Sequence, residues 1–191
     1  IYAVPSYGID PSCGKELFRK RNGQSTYVWD AADEVVVGDK SPDAQGSFGI
    51  NIAWKGFYVN TTFLYQWGAQ DYNETIKDKV EEADIDGSNV DRRVLTQRWI
   101  KPGDIAPFFD LKNNQKTQPT SRFVQDNNYL SFSGISCGYD FNQELIRKFR
   151  LTSLGLQFNM NDVARWASIK QERGTSYPFA RTFNFSLRAT F

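Results

Sequence analysis

From Ser47 onward the chain alternates apolar and polar residues with a period of two. In "SFGINIAWKGFYVNTTFLYQW", Phe48, Ile50, Ile52 and Trp54 share one phase, and Ser47, Gly49, Asn51 and Ala53 share the other. Such alternation predicts a strand with one dry face and one wet face. Lys55-Gly56 is a two-residue turn signal. After it Phe57, Val59, Thr61, Phe63, Tyr65 and Trp67 resume the apolar phase, opposed by Tyr58, Asn60, Thr62, Leu64 and Gln66. The segment reads as a hairpin of two long strands.

The same rhythm returns from Arg122. Leu130 and Phe132 hold one phase, while Ile135, Cys137, Tyr139 and Phe141 hold the other. The slip near Ser133-Gly134 predicts a β-bulge, because one extra residue restores the facing. Beyond "NQELIRKFRLTS", the stretch "LGLQFNMND" sets Leu154, Leu156, Phe158 and Met160 against Gly155, Gln157, Asn159 and Asn161. A short loop, "ASIKQERGTSYPFA", leads to "RTFNFSLRATF". There Phe183, Phe185, Leu187, Ala189 and Phe191 alternate with Thr182, Asn184, Ser186, Arg188 and Thr190.

Two regions lack this rhythm. Residues 1–44 are turn-rich, and "ELFRKRNGQSTYVW" predicts a small hairpin around Asn22-Gly23. Its basic cluster of Lys15, Arg19, Lys20 and Arg21 is read as a solvated tip, with an anion site as the alternative. Residues 69–121 form a connection far longer than ordinary ones, which argues for a functional loop. Within it "NETIKDKVEEA" has helical character, and "NVDRRVLTQRW" predicts a second short helix capped by Asn89 and stopped by "KPGD". The chain thus divides into 1–44, a hairpin at 45–68, the loop at 69–121 and three strands within 122–191.

Composition changes the picture of what the strands face. Their polar side carries Asn, Gln, Ser, Thr and Gly, where a soluble sandwich displays many Lys and Glu. A mostly uncharged, small polar face, with Arg188 the exception, suits a hydrated, enclosed interior. About ten residues at roughly 3.3 Å each, tilted near 45°, rise about 23 Å, close to the ~25 Å apolar band of a membrane barrel. Trp54, Phe57, Tyr139, Phe141 and Phe191 would mark one edge of that band, and Trp67, Trp166, Phe179 and Phe183 the other. No Lys or Arg stands mid-strand in the apolar phase. Mean hydropathy is −0.55, and no run approaches the ~20 apolar residues of a spanning helix. Membrane strands dilute their apolar residues one for one, so that value does not exclude a barrel. The 23 basic and 22 acidic residues leave a net charge of +1, which gives no general field for nucleic acid.

Candidate chemistry is sparse. The sequence has no His, which removes Ser–His and Asp–His hydrolase centres and disfavours an enzyme. Asp33-Glu34 and Glu81-Glu82 are adjacent acids on loops and read as solvated pairs. "DIDGSNVD" echoes the start of a calcium loop through Asp84, Asp86 and Ser88, but Leu95 occupies the position of the closing Glu. No metal or cofactor is expected. Cys13 and Cys137 read as two free thiols, with a bridge as the alternative. Tyr7, Tyr27, Trp29 and Trp99 offer flat faces for sugar rings, or else pack the loops. "DRRV", with Arg92 and Arg93, is expected to order the long loop through arginine–carboxylate pairs.

Together, "GIDPSCGKE", "VGDKSP", "GSFGINIAWKGF", "NVDRRV", "RW" with "KPGD", "TSRFVQDNNYLSFSGISCGYDF", "FNMNDV" and "QERGTSYPFARTFNFSLRATF" resemble, in order, the C-terminal part of SusC/RagA-type TonB-dependent outer-membrane transporters. Cys13, Cys137 and Gly138 depart from the expected small or apolar residues. The resemblance implies a 22-stranded barrel with a plug, an outer-membrane setting in a Gram-negative bacterium, and a SusD-like surface lipoprotein as lid. It implies import of oligosaccharides or peptides powered through TonB. Residues 1–44 and 69–121 would then be extracellular, the Lys55-Gly56 turn periplasmic, and 122–191 the last three barrel strands. Asn51, Asn60, Gln157, Asn159, Asn184 and Arg188 would face the lumen, and Tyr7, Tyr27, Trp29, Arg92, Arg93 and Trp99 the cargo or the lid. Phe183, Phe185, Leu187 and Phe191 resemble the signal read during barrel assembly. The stretches match about the last quarter of such a transporter, so the plug, the TonB contact and the rest of the barrel would be supplied from outside this chain. The alternative is a soluble or surface-attached β-sandwich module, carbohydrate-binding or adhesive. It requires Phe158, Phe183 and Phe185 to be buried against a second sheet.

Overall fold

Two units divide the chain, Ile1–Ser41 with Ala69–Asp126, and Pro42–Gly68 with Asn127–Phe191. The computed structural model describes residues 1–87, 89–113, 115–169 and 181–191. Ser88 of the calcium-loop echo, the girdle candidate Phe179 and most of the "ASIKQERGTSYPFA" loop lie outside the described residues. In chain order the strands are β1 (Tyr2–Ala3), β2 (Ser6–Ile9), β3 (Glu16–Arg19), β4 (Ser25–Thr26), β5 (Val35–Val36) and β6 (Ala44–Trp54). They continue as β7 (Phe57–Trp67), β8 (Gln70–Tyr72), β9 (Val124–Asp126), β10 (Tyr129–Asp140), β11 (Ser153–Ala167) and β12 (Phe183–Thr190). Short helices are α1 (Glu74–Ile76), α2 (Arg93–Thr96) and α3 (Gln143–Ile146).

The second unit is one antiparallel sheet of five strands in the order β12-β11-β10-β7-β6. β6 and β7 close on Lys55 and Gly56 at φ 48° and 87°, the twist-matched geometry of a two-residue hairpin. A side chain at Gly56 would come 2.5 Å from the Asp140 carbonyl oxygen, so the turn can rest on the end of β10 only without one.

The bulge falls where the phase slip places it. Register shifts between Phe132 and Gly134 on both sides of β10. Ser133 is the extra residue against β7. Against β11 it faces both Asp162 and Val163, with Asp162 left-handed at φ 53°. Facing is restored beyond it. Trp54, Phe57, Tyr139, Leu156 and Leu187 form one cross-strand row, and Ile52, Val59, Cys137, Phe158 and Phe185 the next. Phe48, Phe63 and Phe132 stack in a ladder with centroids 4.9 and 4.6 Å apart. Each such cross-strand pair contributes about 0.2–1 kcal/mol.

This apolar face is open. Phe183 is 63% exposed, Phe185 76% and Ile52 59%, and Phe158 packs sideways on the rings of Phe183 and Phe185. The burial required by the sandwich reading is therefore not met. Three finer expectations are corrected. The long strand starts at Tyr129, because Arg122 belongs to a 3-10 turn, Ser121–Phe123, ahead of β9. Asp91 replaces Asn89 at the start of α2, its carboxylate accepting from the Arg93 N–H at 2.8 Å. Phe183 pairs with Met160, in the row of Ile50, so in register it is not level with Trp67.

The first unit is built from small pieces. β2, β3 and β4 form a three-stranded sheet, with Gly23 at φ 87° in the β3–β4 turn, and β1–β5 and β8–β9 are two-stranded. Val80, Val94, Phe108 and Phe123 form its buried cluster, with Tyr72, Ile76 and Leu111 packed around it. Asn73 caps α1 by accepting from the Ile76 N–H at 3.1 Å, and the helix widens into a π turn over Lys77–Glu81.

Candidate binding site

Arg122 ties the first unit together. Its guanidinium meets Glu16 at 2.8 Å and Glu81 at 2.5 Å, donates to the Pro107 carbonyl at 2.6 Å, and lies 4.7 Å from the Phe123 ring centroid. Burial opposes the Arg122 charge, but the bonds to Glu81 and Glu16 outweigh it and hold its pKa above the ordinary value. Burial raises the Glu81 carboxyl, against the opposing pull of Arg122. Arg98, also buried, donates to the carbonyls of Phe109, Val80 and Glu81. Two arginines thus satisfy backbone groups that this helix-poor segment leaves unpaired.

On this frame sits a cavity of about 310 Å³. Phe18, Tyr27, Val28 and Trp29 form part of its wall, with Lys15 and Glu16 beside them. Phe109, Asn113, Gln115, Lys116, Thr117 and Gln118 complete it. The volume lies at the small end of ligand pockets, ~300–1,000 Å³. Both aromatic tips are tied. The Tyr27 hydroxyl donates to Asp10 at 2.5 Å, and Trp29 Nε1 donates to the Pro119 carbonyl at 3.1 Å. The Asp10 bond lifts the Tyr27 pKa to about 12, and the Tyr27 and Ser12 hydrogen bonds depress that of Asp10.

Of the loop aromatics read from the sequence, the structure brings Tyr27 and Trp29 together in this cavity. Trp99 lies elsewhere. Its ring covers Gly14, its Nε1 donates to the Pro11 carbonyl at 2.9 Å, and its own N–H pairs with Phe108. Tyr7 is exposed. Arg93 makes a two-point pair with Asp91, its Nε and Nη2 each 2.9 Å from a carboxylate oxygen, while Arg92 is exposed. Lys116 and the amides of Asn113, Gln115 and Gln118 escaped the sequence reading, for they sit in a loop with no periodicity. The dense amides of "NNQKTQP" were the only signal for them. Asp84 accepts from the Asp86 and Gly87 N–H groups as an ordinary turn. Among the described residues no group of three or more His, Cys, Asp or Glu is placed to hold a metal.

The second unit carries the polar row Asn51, Asn60, Ser136, Asn159 and Asn184, one residue from each strand. In the adjacent row Tyr58 lies against Gly138, with Gln157 on the far side. Gln157 donates to Ser136 Oγ at 3.2 Å and to Asn159 Oδ1 at 3.0 Å. Arg188 stands on the same face, 3.5 Å from Asp140.

A one-layer sheet with an open aromatic face on one side and, on the other, an amide-rich polar face carrying the Arg188–Asp140 pair has the two-sided pattern of a membrane β-barrel wall. Comparison with known proteins narrows the class. TonB-dependent receptor P39 of Formosa agariphila is 28% identical over 157 residues, covering 78% of this chain and 15% of that protein. TonB-dependent receptor P3 of the same organism is 23% identical over 202 residues, covering 95% of this chain and 19% of that protein. The solved RagAB peptide transporter shares the fold at a TM-score of 0.71 and 17% identity, over 88% of this chain and 19% of that one. The RagAB peptide importer in its "open-open" state gives 0.67. No family model matches the chain. The chain resembles a segment of a SusC/RagA-type TonB-dependent transporter in sequence and in fold, and it spans less than a fifth of the length of these relatives.

Proposed function

We propose that the chain supplies wall and outer loops to an outer-membrane TonB-dependent importer of oligosaccharides or peptides. The observation that carries this reading is the open aromatic face running across all five strands, with the Asn51–Asn184 polar row behind it. Hydrocarbon covers the first and lumen water the second. Residues 45–68 and 122–191 then contribute a hairpin and the last three strands of a 22-stranded barrel, and residues 1–44 and 69–121 form extracellular loops. Asn51, Asn60, Gln157, Asn159, Asn184 and Arg188 wet the lumen. Cargo is held between these loops and a SusD-like lipoprotein, then released inward when TonB acts on a plug outside this segment. The role is binding and gated passage, with no bond making. Phe183, Phe185, Leu187 and Phe191 on and beyond β12 serve as the assembly signal, in keeping with their alternation and exposure.

The test is uptake of labelled oligosaccharides and peptides by cells carrying the full-length receptor, with and without TonB. TonB-dependent uptake of either class supports the reading. Uptake unchanged by loss of TonB, or extraction of the receptor by aqueous buffer without detergent, overturns it.

A further inference from the structure

We infer that the Tyr27–Trp29 cavity is a subsite for an anionic sugar ring, a pyranose carrying a carboxylate or a sulfate ester. The inference rests on the import reading only for where the ligand comes from. The ligand chemistry follows from the lining. Tyr27 and Trp29 have their polar atoms committed to Asp10 and the Pro119 carbonyl, which leaves rigid ring faces to pack on a pyranose at little entropic cost. Asn113, Gln115 and Gln118 line the same volume and supply paired donors and acceptors suited to hydroxyl groups.

Charge decides between a neutral and an anionic ring. Three ionised groups line the cavity, Lys15, Glu16 and Lys116. The Glu16 carboxylate shares Arg122, 2.8 Å away, with Glu81, and is one negative charge against two lysines in the lining. Lys15 and Lys116 have no carboxylate partner among the described residues. The cavity therefore has an excess of positive charge beside flat apolar faces. A neutral sugar leaves both ammonium groups unmatched, whereas one ring-borne anion takes charge-assisted hydrogen bonds from them. An acidic peptide offers the anion without the flat, hydroxyl-rich body that the aromatics and amides fit.

The test is calorimetric titration of the full-length receptor in detergent with tetragalacturonate, a sulfated galactotetraose, neutral galactotetraose and tetraglutamate. Tighter binding of either acidic sugar than of the neutral one is expected, and which acidic sugar it is distinguishes carboxylate from sulfate. Lys15→Gln and Lys116→Gln should each weaken the acidic sugar about 10-fold and leave the neutral one unchanged, while Lys116→Arg retains binding. Equal binding of acidic and neutral sugars, preference for tetraglutamate, or no binding of either acidic sugar overturns the inference. Binding by the purified receptor does not need TonB, so failure of this titration is distinct from failure of TonB-dependent uptake.

Discussion

Arg188 on β12 reaches across β11 to Asp140 on β10, 3.5 Å away, over the bare backbone of Gly155. A Cβ at Gly155 would stand 2.8 Å from the Asp140 carboxylate oxygen, the free end of a movable side chain. Both charged groups are exposed in this sheet, so water screens the pair. A double-mutant cycle on Arg188→Ala and Asp140→Ala in the full-length receptor should give a coupling below ~1 kcal/mol that fades in high salt. A large, salt-insensitive coupling would mean that this polar face is dry, contrary to a hydrated lumen.

Neighbouring residues on β11 test the assignment of the two faces. Phe158 belongs to the apolar row and Asn159 to the polar row. Phe158→Arg should cost roughly 2–4 kcal/mol if the site lies near the bilayer midplane, while Asn159→Arg should assemble normally. Heat-modifiable migration of the full-length receptor on gels reads the folded fraction. Similar behaviour of the two variants would refute the assignment.

Ser133 gives a less intuitive outcome. It is the extra residue of β10 against β7, so removing it leaves Leu130, Phe132 and Ile135 on one face by simple alternation. β11 already places two residues opposite it and would keep a larger bulge. Deleting Ser133 should therefore permit assembly, whereas deleting Ser136 should invert one half of the strand and abolish it. Comparable loss in both deletions would show that the bulge is required for more than facing.

The strands were legible because the physics that orders them is local. A period of two records which side is apolar and which is polar, and the break at Ser133-Gly134 records a bulge in the same terms. Lys55-Gly56 fixed the hairpin. The cavity was not legible, since its walls come from residues 15–29, 109–113 and 115–118, with Arg122 meeting Glu16 at 2.8 Å and lying 6.0 Å from the Phe109 ring centroid. Nothing periodic connects those segments. Trp99 shows the limit most clearly, because an exposed-looking loop tryptophan is matched to Gly14, eighty-five residues earlier.

That match makes a prediction about stability. Gly14 has φ 69°, and a Cβ there would meet the Trp99 ring at 2.5 Å. Gly14→Ala should therefore destabilise the loop by more than the ~1–2 kcal/mol of left-handed strain alone, and Trp99→Ala should relieve the steric part. Limited proteolysis between Pro11 and Lys15 measures it. Equal cleavage of the Gly14→Ala and wild-type receptors would count against the contact.

The Tyr27–Asp10 bond sets a pH window for one wall of the cavity. The hydrogen bond from Tyr27 lowers the Asp10 pKa, so the link is complete above the ordinary carboxylate value of 3.8 and is lost as pH falls through the depressed one. Tyr27 is raised from 10.0 to about 12, so its contribution is complete below 10.0 and lost as pH rises through about 12. Tyr27 carrying a carbon-13 label at Cζ in the full-length receptor should titrate near 12, and near its ordinary value in Asp10→Asn. The Asp10→Asn change should also loosen the ring and weaken any ligand held on its face, without moving the Trp29 indole bonded to Pro119. A Tyr27 titration that ignores Asp10 would show that the ring is positioned by packing alone.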